Sequence, residues 1–403
     1  MGNLKLTPWI CTFLSLATLF VGIYSLADLG APTFNCPNLM GPSSTNPTNV
    51  HSIRPGDIKI VAALGDSLTA ANGAGAPKGD AVAVLLQYRG LAFQGGGDKT
   101  LDEHVTVPNV LRKFNPNIFG YANGICSSDV WRQARLNLGY PGAESGDLIG
   151  QAHQLVQLMQ THSEIDIQND WKLINIFIGG NDICAYCHDK NTTGPHSPKA
   201  FEQNLRTTID ILKQYLPKTI ISLTGMFNMK MLRMVDKNQI FCETLHVFEC
   251  PCEQDSGFTD QEIADVCIGY MKAEQDMQDK GYYESDDFTL VIQPFFEDDI
   301  IPPKNVIIQP FFEDDIIPPK NADGTVNLDF FAPDCFHFSQ FGHAAVGKYL
   351  WNSIMQPVGQ KATKTNLSSY DFDLQCPDPN CPFIRTTKNS QNCAQYMTPA
   401  KIM

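Results

Sequence analysis

Four short apolar runs, rich in β-branched residues, stand at 58–64 (Ile-Lys-Ile-Val-Ala-Ala-Leu), 172–178, 219–224 and 288–292. Each has the length and composition of a buried strand. Segments of helical period lie between them. In 150–159, Ala152, Leu155, Val156 and Met159 fall at i, i+3, i+4 and i+7, and Phe201, Leu205, Thr208, Ile209 and Leu212 trace a second such face. Strands apolar along their whole length need cover on both sides, and alternation with helices links them in parallel. The pattern predicts an α/β fold: a three-layer α/β/α sandwich with a central parallel sheet and long insertions. At 403 residues the chain can hold one large domain of this kind or two of average size.

Charge and the N-terminus restrict what such a domain could meet. Lys plus Arg number 29 and Asp plus Glu 43, a net −14 that disfavours nucleic-acid backbones and, by electrostatics alone, anionic lipid surfaces. Lys5 precedes an apolar run over 9–24 that closes on Ser25-Leu26-Ala27. A charge, an apolar stretch and a small–x–small site read as a secretory signal over 1–27, cleaved after Ala27. The alternative is an uncleaved signal anchor that tethers the protein to a membrane. No later run is long and apolar enough to span a bilayer, and residues 399–403 have no lipid-anchor tail.

Thirteen cysteines include Cys11 in the leader, which leaves an even twelve expected to pair largely as disulfides in an oxidising compartment. Spacing does not give their connectivity. Cys184 and Cys187 form a C-x-x-C for which a local disulfide is the expectation. Zinc would need a second matching pair, and Cys250-x-Cys252 has the wrong spacing. Sequons at Asn191 and Asn366 agree with export.

The organisation that follows is a signal (1–27), a Pro/Asn/Ser/Thr-rich surface segment (28–56), a large α/β domain (57–361) and a cysteine-containing tail (362–403). Residues 292–305 recur without change at 308–321, an offset of 16. Only one copy can fill a single strand position, so the other is expected as an insertion, which loop-closure entropy tolerates.

Chemistry-bearing residues gather at the predicted carboxyl edge of the sheet. Gly65-Asp66-Ser67-Leu68 follows the first strand, so Ser67 falls at a strand-to-helix turn, where open α/β folds place reactive groups. Asp334 stands three residues before His337, a spacing that lets a carboxylate hold one ring nitrogen while the other faces outward as a base. The glycine-dense turn from Asn137 to Asp147 and the block Gly179-Gly180-Asn181-Asp182 lie between them. Together these supply a nucleophile, an oxyanion hole and a base.

These blocks resemble the SGNH/GDSL hydrolase superfamily, in particular its phospholipase B branch, over roughly 60–361. The resemblance rests on Gly65-Asp66-Ser67-Leu68-Thr69-Ala70, Asn72-Gly73-Ala74-Gly75, Tyr88-Arg89-Gly90, Phe114-Asn115-Pro116 and Asp170-Trp171-Lys172. It extends to Ile178-Gly179-Gly180-Asn181-Asp182-Ile183-Cys184, to Phe331 through Ser339, and to the run from Gly342-His343 to Trp351-Asn352.

The resemblance implies a flavodoxin-like fold and a Ser67–His337–Asp334 triad. The Ser67 N–H, Gly142 and Asn181 would be oxyanion donors, with Gly142 preferred to Gly146 because it stands five residues after Asn137. It implies an acyl-enzyme mechanism on glycerophospholipid or lysophospholipid esters, at lipid interfaces, without metal or cofactor. Two features depart from the family pattern: Ala71 stands where the branch usually has glycine, and the duplicated segment precedes Asp334. His343, six residues after His337, is expected to make a structural hydrogen bond. The alternatives are a carboxylesterase or carbohydrate-ester deacetylase on the same scaffold, or a binding protein without turnover.

Overall fold

The computed structural model describes residues 26–80, 82–190, 193–236, 239–296 and 318–397. The leader from Lys5 through residue 24, Cys11, the Asn191 sequon and most of the second repeat lie outside the described residues.

The four apolar runs form β1 (Ile58–Gly65), β2 (Trp171–Phe177), β3 (Thr219–Thr224) and β4 (Phe288–Gln293). They pair in parallel in the order β1-β2-β3-β4. On the free side of β1, isolated parallel bridges join Ile60 to Phe119 and Ala63 to Asn137, so an irregular segment completes that edge. Every residue of β2, β3 and β4 is buried, as strands covered on both faces require.

Helices α1 (Val107–Phe114), α2 (Leu148–Thr161), α3 (Pro198–Tyr215), α4 (Ile240–Glu249), α5 (Asp260–Asp279) and α6 (Gln340–Met355) supply the layers. α3 packs against both α2 and α5, while α1 packs against α6. The periodic faces read from the sequence on α2 and α3 are the buried ones. The result is the three-layer α/β/α sandwich with a central parallel sheet. Among the described residues no helix is long and apolar enough to cross a membrane.

The segment 28–56 is not simply a surface strap. Val50 and Ile53 are fully buried, and Cys36 is disulfide-bonded to Cys376. The Ile53 carbonyl accepts from Ile384 N–H, and His51 meets Thr386 at 2.9 Å, so the segment packs onto the tail. A few apolar anchors within a polar stretch were enough to dock it.

Among the described residues ten cysteines form five disulfides, and Cys126 and Cys267 are free thiols. The C-x-x-C does not close on itself: Cys184 pairs with Cys250 and Cys187 with Cys252. Both cysteines lie in consecutive helical turns, Gly180–Ala185 and Tyr186–His188. Helical side chains three apart have their Cβ atoms about 5–6 Å apart. That exceeds the reach of a disulfide.

Ile292 and Gln293 of the first repeat copy end β4, and Phe295 and Phe296 beyond them are buried. The last residues of the second copy rejoin the fold where Lys320 bridges Val326. The strand-equivalent residues of the second copy lie outside the described residues.

Candidate active site

β1 ends on Gly65 at φ +150°, and a Cβ there would stand 2.1 Å from the Phe177 carbonyl oxygen of β2. Only glycine lets the chain turn this close to its neighbour. Gln151 of α2 bridges both backbone groups of Gly65: its Oε1 accepts from Gly65 N–H at 2.9 Å and its Nε2 donates to Gly65 O at 2.8 Å. The turn Ser67–Ala70 follows, capped by Asp66, whose Oδ1 accepts from Leu68 N–H at 2.9 Å. Ser67 thereby stands at the carboxyl edge, 6% exposed.

Arg89, fully buried, steadies the next block. It donates to the Asn137 carbonyl and side-chain oxygen at 3.0 Å each and to Gly139 O at 2.7 Å, while Asn137 Nδ2 donates to Thr69 O at 2.9 Å. The glycine-dense turn is then fastened to the β2 edge. Asp182 accepts from Ser145 N–H at 2.8 Å and Ser145 Oγ at 2.5 Å, and Asn181 Nδ2 donates to Ala143 O at 2.8 Å.

Asp334 and His337 arrive on the loop before α6. His337 Nδ1 lies 2.6 Å from Asp334 Oδ2, and its Nε2 lies 2.8 Å from Ser67 Oγ. Asp334 Oδ1 accepts from the backbone N–H of Phe336 and of His337, at 3.0 Å each. The loop is closed by a Phe331–Phe338 bridge and by the disulfide from Cys335 to Cys242 on α4. None of these ties runs through the duplicated segment.

The electrostatics follow from burial and pairing. Burial would raise the Asp334 carboxyl, but the charge and N–H of His337 and two backbone N–H groups outweigh it and hold the group below the usual carboxylate range. Burial would lower the His337 imidazole, but the charges of Asp334, Glu249 and Asp66 and the Asp334 hydrogen bond raise it above the ordinary value. Burial lifts Asp66 to about 7, Asp182 to about 6 and Glu249 to about 7.

The residues singled out in the sequence do not all converge equally. Ser67 and Asn181 line one pocket, with Met226, Phe227, Met229 and Phe336 forming an apolar wall. His337 and Asp334 reach Ser67 through the hydrogen bonds above. Gly142 is exposed, in a left-handed turn at φ +79°, and is not among the pocket-lining residues; it adjoins Ala143, the acceptor of the Asn181 amide. His343 is buried behind the site, with its Nδ1 accepting from Phe93 N–H at 3.4 Å, and burial holds it neutral. Ala71 has a left-handed φ of +55°.

Several supporting residues were not singled out in the sequence: Gln151, Met226, Met229 and His246. Gln151 sits on an apolar helical face, where a polar residue breaks the pattern, and that break was the available clue. Three side-chain clusters have metal-ligand composition among the described residues: Asp236/His246/Glu253, Glu249/Asp334/His337 and Cys187/His188/Cys252. The last offers no thiolate, since Cys187 and Cys252 are bonded to each other. The first is closed by an ion pair of 2.8 Å between His246 and Asp236.

Comparison with known proteins agrees with the motifs. The family model described as GDSL-like lipase/acylhydrolase matches residues 61–350. A rat protein named phospholipase B1, membrane-associated, is 37% identical over 363 residues, 89% of this chain and 23% of its own length. Its human counterpart is 37% identical over 362 residues, 88% of this chain and 23% of its own. The chain thus spans under a quarter of the length of these curated relatives. A solved structure of a possible lipase from Chitinophaga pinensis covers 72% of this chain and 95% of its own at 16% identity, with a TM-score of 0.31, too loose a superposition to argue from.

Proposed function

The chain belongs to the GDSL-like lipase/acylhydrolase family, and from that premise we propose that it hydrolyses carboxylic esters of glycerophospholipids and lysophospholipids through Ser67, His337 and Asp334. The observation that carries this reading is the unbroken series of contacts from Asp334 Oδ2 to His337 Nδ1 at 2.6 Å and from His337 Nε2 to Ser67 Oγ at 2.8 Å.

In this reading His337 takes the Ser67 proton as Oγ attacks the ester carbonyl. Asp334 fixes the ring and offsets the charge that forms on it. The oxyanion is met by the Ser67 and Gly142 N–H groups and by the Asn181 amide, one of whose N–H bonds already points to Ala143 O. The alcohol leaves with the His337 proton. Water, deprotonated by the same ring, then releases the fatty acid from the acyl-enzyme.

The lipid preference has its own support. Met226, Phe227, Met229 and Phe336 suit an acyl chain. α4, bonded to the Asp334 loop through Cys242–Cys335, turns Ile240, Phe241, Val247 and Phe248 outward, with Ile240 80% and Phe248 83% exposed. An outward face of four large apolar residues beside Glu243 and Thr244, with no lysine or arginine, on a chain of net charge −14, suits a zwitterionic lipid surface better than an anionic one. Five disulfides suit an oxidising compartment, hence secretion, or attachment to the outer face of a membrane by an uncleaved leader. Exposed Asn366 is available for glycosylation there.

The test is fatty-acid release from phosphatidylcholine, lysophosphatidylcholine and short aryl esters by wild type and Ser67→Ala. Wild type should cleave the phospholipids, and the variant should lose about 10⁴-fold or more of that rate. Activity confined to the aryl esters would replace the lipid assignment with a carboxylesterase, and a rate unchanged by Ser67→Ala would overturn the nucleophile.

A further inference from the structure

α4 is built inside out. Its outward side carries Ile240, Phe241, Val247 and Phe248 beside Glu243 and Thr244, while the two side chains one turn apart that face inward are Cys242 and His246. Both end on the loop that carries Asp334 and His337. Cys242 is bonded to Cys335, and His246 Nε2 lies 3.0 Å from the Asp334 peptide oxygen. On its other side, His246 Nδ1 lies 2.8 Å from Asp236 Oδ1 and 3.8 Å from Glu253 Oε2. The Nδ1–H is not aimed squarely at Asp236, so this contact is an ion pair more than a hydrogen bond.

A peptide oxygen can only accept a hydrogen bond. The Asp236 carboxylate, whose Oδ2 accepts from Gln254 Nε2 at 2.7 Å, likewise presents an acceptor to the ring. With an acceptor against each ring nitrogen, the doubly protonated imidazolium suits both neighbours. The remaining neighbours fit a cation: Glu249 on the same helix and Glu253 beyond Asp236. Arg233 donates to the Glu253 carbonyl at 2.6 Å and lies behind that acid.

We infer that His246, held as an imidazolium by Asp236, is a positioning residue that fixes the Asp334 peptide and so sets the angle at which the Asp334 carboxylate meets His337. The inference rests on the hydrolase reading above. A neutral histidine would leave a lone pair opposed to a lone pair on one side, and the brace would slacken.

Burial pushes the His246 ring toward neutrality, but close contact with Asp236, together with the charges of Glu253 and Glu249, raises it above the ordinary histidine value. The sign is therefore opposite to that of His337 as a base. The brace is intact below the raised value; as pH climbs through it the Asp236 side loses its hydrogen while Nε2–H still meets the Asp334 oxygen, so the brace slackens. Activity should decline on the alkaline side for this reason, separately from the acid decline that protonation of His337 causes.

His246→Gln in the full chain tests this, because glutamine can still donate to the Asp334 oxygen but cannot gain or lose a proton. The expected result is a kcat on a lysophospholipid lowered about tenfold with KM unchanged, and an alkaline limb that disappears from the kcat–pH profile. Asp236→Asn should move the same limb to lower pH. Unchanged kcat, or a lowered kcat with the alkaline limb intact, would overturn the inference. Ring-nitrogen NMR of wild type gives a readout that needs no activity: both His246 nitrogens should be protonated at pH 7, and an unprotonated one would overturn the brace. Absence of ester hydrolysis in wild type would instead count against the hydrolase reading.

Discussion

Ser67 and the Asp334–His337 pair meet at one hydrogen bond, yet the two halves of the site are held by different means. Ser67 stands directly off the end of β1, and its geometry is set by the sheet: a glycine pressed against the β2 backbone, a reciprocal Gln151 bridge and an Asp66 cap. Asp334 and His337 lie on no strand. Their loop is held from outside, by the Cys242–Cys335 bond, the His246 contact and a short bridge between Phe331 and Phe338. One half inherits the rigidity of the core. The other depends on a few cross-links that can be cut while the core stays intact.

The sharpest way to break the first half is Gly65→Ala. The added methyl would meet the Phe177 oxygen at 2.1 Å and Thr69 Oγ1 at 2.2 Å, and the φ of +150° disfavours any side chain. Because backbone, not a flexible side chain, has to move, the expected loss is about 3 kcal/mol or more of unfolding free energy. Denaturant melts should show stability and activity lost together. A variant of wild-type stability would mean that the sheet edge is less constrained than its contacts imply.

The second half should break differently. Replacing Cys242 and Cys335 together by alanine should cost about 2–4 kcal/mol. At temperatures where the variant is still folded, kcat should also fall, because the acid loop is loosened while Ser67 is not. Removing Cys36–Cys376, which joins the two ends of the described chain, is the control: it should cost stability and leave kcat of the folded fraction alone. Equal effects of the two deletions on kcat would erase the distinction between core-held and cross-link-held halves.

A pH profile sharpens the comparison at the hydrogen bond itself. His337 must be neutral to accept the Ser67 proton, and Asp334, Glu249 and Asp66 favour its charged form. Activity should therefore fall as pH drops through a value above the ordinary histidine ~6.5, by about tenfold per unit once well below it. Glu249→Gln removes one of the raising charges and should move that limb to lower pH. A limb that stays in place would remove Glu249 from the electrostatics of the site.

The same contrast explains what could be read from the sequence. The sheet-held half was legible because a fully buried parallel strand is a continuous apolar run, and its end is where a reactive residue is expected; Ile58 to Gly65 followed by Ser67 is both. The spacing of Asp334 and His337 was legible as a pair. Their support was not. α4 turns its apolar residues outward and its histidine inward, so reading its period would have assigned the wrong face to the core. Cys242 and Cys335 are 93 residues apart, and no spacing rule joins them. Gln151 and Arg89 act largely on backbone groups, so even the polar break that Gln151 makes in an apolar face does not say what it holds.

The smallest effect is expected where the core-held half departs from its family pattern. Ala71 ends the Ser67 turn at φ +55° and ψ +49°, a left-handed conformation that glycine adopts freely and alanine does not. It is fully buried, packed with Ala74, Leu91 and Ala92, and its carbonyl accepts from Tyr88 N–H at 3.1 Å. Ala71→Gly removes about 1 kcal/mol of backbone strain. It also removes one buried methyl, worth roughly the same amount, and frees the unfolded chain slightly. The terms nearly cancel, so the melting midpoint should change by no more than about 1 kcal/mol equivalent, and kcat should hold because the Ser67 turn is also fixed by Asp66 and Gly65. A large loss of activity with unchanged stability would mean that the Ala71 methyl, and not only the sheet edge, sets the position of Ser67.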